Sequence, residues 1–284
     1  MKRAFFFLGI AFYFVLPSCK KENPAPDLHL PSTNYSNVAY GDDALQVLDI
    51  FLPEGRSTQV TKTIFIIHGG GWTGGDKQEM TDPVNYLKSQ LPDYAFVNVN
   101  YRLAAGGQTN VFPAQEEDIK TAVAFYLNKA DEYRVSKDIL MGGVSAGAHL
   151  ALLHGYKNDP EKHVKAIIDF YGPTDLVALW NMGLFQQFSL ITPLGGPLAD
   201  HPDLYVNSSP VNYVSMQSPP TIVLQGGADP IVVPDQATRL IAKLNQFGVK
   251  NELVYYPSES HGWTGMNLLD SYNKIIAFVK ENGK

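Results

Sequence analysis

From about Val38 onward the chain alternates short apolar runs with longer amphipathic stretches. Ala44 to Leu52 alternates apolar and polar positions, the period of a strand with one buried face. Thr63 to Ile67 and Ala95 to Val99 are short and almost continuously apolar, and Asp138 to Met141, Ala166 to Tyr171, Thr221 to Leu224 and Glu252 to Tyr256 repeat the type. Pro113 to Ala130 opens on proline and carries acids early, both favourable at a helix start. Helical spacing recurs over 146–156, 235–247 and 268–280. Near-continuous apolar strands interleaved with helices imply an α/β fold, a mostly parallel central sheet covered on both faces. In such a sheet ligands bind at the carboxyl ends of the strands, so chemistry is sought in the residues that follow each one. The stretch from about Leu176 to Pro220 fits neither pattern and is expected to be an irregular insertion over that edge.

Gly143-Val144-Ser145-Ala146-Gly147 follows one of those strands and opens a helix. It matches G-x-S-x-G, in which a sharp strand-to-helix turn lifts the serine hydroxyl above the sheet and small residues two positions either side avoid a clash. Alone the pattern also fits a plain glycine-rich turn; its position between strand and helix favours a nucleophile. His68-Gly69-Gly70-Gly71-Trp72 ends an earlier strand. Consecutive glycines let backbone amides face a substrate oxygen, so Gly70 and Gly71, with the Ala146 amide, are the candidate oxyanion hole. His68 is expected to hold that loop rather than to exchange protons.

A serine nucleophile needs a base, and the base an orienting partner. Of the seven histidines, His29 precedes the patterned region, His149 and His154 lie on the helix after Ser145, and His163 and His201 sit in polar turns. His261 lies in a loop after the last strand and before the last helix, where a loop can swing an imidazole over Ser145. Asp229 follows the Thr221–Leu224 strand and Asp175 follows the one before it. The chain order Ser, Asp, His favours Asp229 over Asp175, and Glu259 is too near His261 in sequence to orient it easily.

These residues resemble the α/β-hydrolase superfamily, in its esterase/lipase branch. Tyr101-Arg102-Leu103, Phe112-Pro113-Ala114, Glu116 to Asp118 and Tyr171-Gly172-Pro173-Thr174-Asp175-Leu176 share in the likeness, which runs from about Tyr35 to the C-terminus. Within the branch the chain is most similar to BD-FAE-like carboxylesterases, a group that includes feruloyl and acetyl esterases acting on plant polysaccharides. Too little chain precedes the glycine loop for the helical cap of hormone-sensitive-lipase-like members. The resemblance implies structural roles for Arg102 and Asp118. It implies a serine carboxylesterase acting on short-chain or aryl esters, including those carried by carbohydrates. An amidase or peptidase on the same triad and a catalytically silent binding module remain alternatives, although a silent module would be expected to have lost a triad residue or the glycines. Trp180, Phe185, Phe188, Tyr205 and Tyr213 in the insertion could stack on a ring or simply pack.

Composition adds the boundaries. The 284 residues suit one large domain, 45% of them are hydrophobic, and the net charge is −6 with no long basic run, which argues against nucleic acid as a partner. No metal or other cofactor is expected, since neither H-E-x-x-H nor a Cys/His cluster occurs. Met1-Lys2-Arg3 followed by apolar Ala4 to Leu16 reads as an export signal over residues 1–18. Leu16-Pro17-Ser18-Cys19 resembles a lipobox, so Cys19, the single cysteine, is the expected lipid-attachment site. Residues 19–34 then read as a tether and 35–284 as the catalytic domain. The expectation is an exported protein of a bacterial cell envelope, membrane-held through Cys19, its oligomeric state open.

Overall fold

The computed structural model describes Met1 and residues 30–283; the export signal, Cys19 and most of the tether lie outside the described residues. Eight strands form one sheet in the order β1-β2-β4-β3-β5-β6-β7-β8. They are β1 (Thr33–Ala39), β2 (Val47–Leu52), β3 (Thr63–Ile67), β4 (Ala95–Val99), β5 (Ile139–Val144), β6 (Val164–Phe170), β7 (Thr221–Gly226) and β8 (Asn251–Tyr256). From β4 to β8 every neighbouring pair is parallel, while β2 is antiparallel to both β1 and β4.

The all-apolar strands divide between two cores by simple alternation. In β3, Phe65 and Ile67 join the layer under α2 (Ala114–Asn128), α4 (Ala146–Lys157) and α8 (Asp235–Gln246), with Tyr126, Leu150 and Leu240. Ile64 and Ile66 point the other way, to α1 (Thr81–Gln90) and α9 (Gly265–Asn282), with Leu87, Ile168 and Val279. Each such side chain gains about 1.5–3 kcal/mol by leaving water, and both faces need their helices for that gain to be complete.

The first strand, β1, starts at Thr33, where Thr33 and Asn34 pair with Leu52 and Phe51. β1 is an edge strand with mostly exposed side chains, so it carries no apolar signature. A register shift between Tyr35 and Val38, with Asn37 at φ 53°, interrupts the edge, a common defence against further strand pairing. Since β1 runs in the same direction as β4, the chain enters at the end of the sheet opposite the carboxyl ends of the parallel strands.

The insertion is more ordered than its sequence suggests. It folds into α5 (Leu176–Trp180), α6 (Leu184–Ile191), α7 (Pro202–Asn207) and a 3-10 turn over Pro210–Tyr213; elsewhere lie α3 (Ala130–Tyr133) and a second 3-10 turn over Lys77–Met80. Side-chain hooks hold it: Ser209 Oγ accepts from Leu176 N at 2.9 Å and donates to the Tyr205 carbonyl at 2.7 Å. Asp175 caps α5 through Ala178 N at 2.9 Å.

Candidate active site

Ser145 stands at the junction of β5 and α4 with φ 53° and ψ −121°, a conformation that non-glycine residues rarely adopt. The surroundings force it. Ser145 N donates to the Phe170 carbonyl on β6 at 2.9 Å, and the Ser145 carbonyl accepts from His149 N at 3.1 Å. A Cβ at Gly143 would lie 2.7 Å from the Ile67 carbonyl oxygen, and one at Gly147 would overlap the carbonyls of Ile67 and His68. The two glycines therefore let β3 and the helix close to contact distance around the serine.

His261 lies between β8 and α9, and its Nε2 is 3.0 Å from Ser145 Oγ. Its Nδ1 is 2.7 Å from Asp229 Oδ2. An ionised carboxylate can only accept, so Nδ1 carries the proton and Nε2 is left to accept from the serine hydroxyl. The Asp229 side chain is fully buried while that of His261 retains 16% exposure. Asp229 Oδ1 accepts from Ile231 N at 2.8 Å and Val232 N at 3.0 Å, which fixes the carboxylate.

The loops bearing Asp229 and His261 are laced together. Gly227 N donates to the Tyr256 carbonyl at 2.8 Å and Ala228 N to the Glu259 carbonyl at 2.9 Å. A Cβ at Gly227 would sit 2.5 Å from the Pro257 carbonyl, so the glycine before Asp229 sets how closely the two loops approach. Tyr171, at φ 47°, packs its ring 4.6 Å from that of His261. Neither Gly227 nor Tyr171 stood out in the sequence as a support of the histidine; the glycine pair after β7 was the available signal for the first, and nothing marked the second. Asp175, the rival acid, is spent on capping α5 and lies 3.5 Å from Arg239.

Gly70 and Gly71 have φ of 101° and 58°, and the loop passes over the serine so that a Cβ at Gly69 would lie 3.4 Å from Ser145 Cβ. Among the described residues the Gly70, Gly71 and Ala146 amides have no backbone acceptor. Three N–H donors without a backbone acceptor, one of them at a helix N-terminus, suit a developing negative charge.

Buried polar groups hold this loop. Tyr101 OH donates to the carbonyls of His68 and Gly69, each at 3.1 Å, and its ring stacks on His68 at 4.3 Å. His68 Nδ1 donates to the Gly69 carbonyl at 2.8 Å, and burial holds its imidazole below the usual range; it braces the loop. Trp72 Nε1 donates to His149 Nδ1 at 3.3 Å, and His149 Nε2 donates to the Ser208 carbonyl at 2.7 Å. Both ring nitrogens being used, His149 is neutral, and burial pushes it down to about 4. It thus ties the glycine loop, the Ser145 helix and the insertion together. Further along, Lys77 pairs with Asp49 at 2.7 Å and Asn98 Nδ2 donates to the Lys77 carbonyl at 2.6 Å. Arg102 grips Asp118 through Nε and Nη2.

Of the aromatic residues in the insertion, Tyr205 is fully buried with Trp180 edge-on to it at 5.4 Å, and Tyr213 OH donates to the Asn207 carbonyl at 3.0 Å. These pack. Phe185 and Phe188 are 58% and 71% exposed on α6, which Gln186 fastens to the Asp229 loop by donating to the Pro230 carbonyl at 2.8 Å.

The BD-FAE family model matches residues 48–244. The chain is similar to the esterase LipC of Mycobacterium tuberculosis, 27% identical over 255 residues that cover 82% of this chain and 60% of that protein. It is 30% identical to the probable carboxylic ester hydrolase LipM of the same organism over 236 residues, 77% of this chain and 53% of the relative. The chain thus spans between about half and three-fifths of the length of these relatives. Among solved structures, a truncated carbohydrate esterase from gut microbiota superposes with a TM-score of 0.74 at 24% identity, covering 92% of this chain and 99% of the other. A bifunctional GH43-CE protein of Bacteroides eggerthii gives 0.76 at 26% identity, covering 88% of this chain and 38% of that one. Both share the α/β-hydrolase fold described above.

Proposed function

The chain belongs to the BD-FAE family, and from that premise we propose that it is a serine carboxylesterase hydrolysing short-chain or aryl esters, including those carried by carbohydrates. One observation carries the reading: an unbroken hydrogen-bond path from Ser145 Oγ through His261 to a fully buried Asp229. The esterase names of the curated relatives and the carbohydrate-esterase neighbours support it.

Ser145 gives its hydroxyl proton to His261 Nε2 as Oγ attacks the ester carbonyl carbon, and Asp229 stabilises the imidazolium. The Gly70, Gly71 and Ala146 amides take the oxyanion, each donor being worth about 3–4 kcal/mol in such sites. The carbon–oxygen bond to the alcohol breaks, His261 returns the proton to the leaving alkoxide, and an acyl-serine remains. Water then repeats the sequence: His261 takes its proton, hydroxide adds to the acyl carbon, and Ser145 leaves protonated.

Ser145→Ala should lower kcat by about 10⁴-fold or more and lose covalent labelling by a fluorophosphonate, with the melting profile kept. Labelling at another residue, or substantial residual turnover, refutes the assignment. Paired ester and amide model substrates separate this reading from an amidase, which would turn over both at comparable rates. We also propose export and lipid attachment at Cys19, on the strength of Leu16-Pro17-Ser18-Cys19 after an apolar run. Cys19→Ala should release the protein from the membrane fraction; unchanged sedimentation with membranes excludes a lipid on that sulfur.

A further inference from the structure

A groove of about 640 Å³ runs between the later turns of α2 and the end of α4. Lys137, which leads into β5, and His163, which leads into β6, close it, so it sits where those strands begin and Ser145 where β5 ends. His154, about 14 Å along α4 from Ser145, is the group there that the fold leaves unexplained. It lines the groove while only 5% exposed, and its Nδ1 is sealed off without a hydrogen-bond partner among the described residues. Burial pushes its imidazole down to about 4, so the ring is neutral and carries one proton. A buried N–H with nothing to donate to is costly. The proton therefore belongs on Nε2, which is not sealed in this way and spends no hydrogen bond within the described residues. A donor is held ready at the base of the groove.

We propose that this groove is a second binding site, separate from the triad, for a neutral oligosaccharide. It stands whether or not Ser145 is the nucleophile, because none of the triad residues lines it. Its charges select no ion, since most are already spent. Lys120 pairs with Glu117 at 2.9 Å and Glu161 with His163 at 3.0 Å. Asp159 accepts from His163 N at 3.0 Å and Val164 N at 2.8 Å, which holds the 159–163 wall in shape. What remains unpaired among the described residues is the His154 imidazole, the Asn128 amide and the Lys137 ammonium. Hydroxyl groups can satisfy all three, being donors and acceptors at once. Between them Ala124, Leu127 and Pro160 offer apolar surface to the C–H face of a sugar ring. A hydrocarbon would strand the polar groups, and a phosphate would meet the Glu117 and Glu161 carboxylates. An apolar cavity of ~150 Å³ takes up one benzene ring, so about 640 Å³ gives room for about two or three pyranose units.

The test is calorimetric titration of the full-length protein with unesterified xylotetraose, cellotetraose and mannotetraose, with trigalacturonate and inorganic phosphate as charged comparisons. At least one neutral tetraose should bind with a Kd on the order of 1 mM, as a few hydrogen bonds with little ring stacking support. Asn128→Ala with Lys137→Ala, both exposed, should weaken it about fivefold or more, while fluorophosphonate labelling of Ser145 stays unchanged. His154→Leu should weaken it about tenfold. Ring-nitrogen NMR of the wild type reads His154 directly and keeps the proposal testable if the leucine variant misfolds: Nε2 should carry the proton and shift as the tetraose is added. Binding that survives the double variant with the His154 resonances unmoved overturns the assignment. So does tighter binding of phosphate or trigalacturonate than of any neutral sugar, or no binding of a neutral tetraose at about 20 mM.

Discussion

The turn at Ser145 and the cover formed by α5 to α7 lie over the same edge of the sheet, yet they are built by opposite means. Around Ser145 the constraints are backbone against backbone: Gly143 and Gly147 meet the carbonyls of Ile67 and His68 where no Cβ fits. In the cover they are side-chain hooks such as Ser209 and Gln186, and residues 176–199 carry no charged side chain. Leu184, Phe185 and Phe188 stand exposed on it. Backbone packing cannot be traded one side chain at a time, whereas hooks and surface apolar groups can. Reaction chemistry is thereby fixed, while what reaches it stays open to change.

The sharpest way to break this contrast is Gly147→Ala. Its methyl group has no room against the Ile67 and His68 carbonyls, so β3 and α4 must part, costing about 2–4 kcal/mol of stability and at least about 10²-fold in kcat as the serine shifts. Urea unfolding and steady-state rates check both, and a variant of normal stability and activity would show that the turn is not over-determined.

Next in size is the response to pH. His149 and His154 are held by burial at about 4, against 6.5 in the unfolded chain. Between those values the unfolded state binds more protons, so their contribution is complete above pH 6.5 and is lost as pH falls towards 4. Asp169, fully buried with Oδ2 unpartnered among the described residues, is raised by burial to about 7 from 3.8. Its sign is opposite: the contribution is complete below 3.8 and lost as pH rises to 7. Two histidines outweigh one aspartate, so stability should decline into acid. Asp169→Asn keeps an acceptor for Gly172 N, now bound at 2.7 Å, and should stabilise the protein near pH 8 by about 1–3 kcal/mol while steepening the acid decline. Urea midpoints between about pH 5 and 8 measure this; an unchanged midpoint at the alkaline end contradicts it.

Smallest should be the effect of Phe185→Ala with Phe188→Ala. Both side chains are largely in water, so stability should move by no more than about 0.5 kcal/mol. KM for bulky esters should rise two- to fivefold, on the order of one lost ring contact, with kcat unchanged. A fall in kcat would mean that α6 supports the Asp229 loop through more than Gln186.

The same division explains what could be read in advance. The turn at Ser145, the glycine loop and the order Ser145, Asp229, His261 are legible because backbone geometry there demands particular residue types in particular places. β1 was not, since a solvent-exposed edge strand needs no apolar period. Nor was α1, where only Val84 and Leu87 are buried. The short helices of the insertion depend on distant hooks, Thr174 N and Asp175 N to the buried Gln236 side chain among them, and such partners have no local signature. The groove between α2 and α4 is a spacing between helices, which no single segment encodes.

The entry point of β1 has a mechanical consequence. Any leash ahead of Thr33 pulls on the molecule from its base, with the triad at the opposite pole. If Cys19 carries a lipid, the pull is on the end of the sheet away from Ser145, which stands at the carboxyl end of β5.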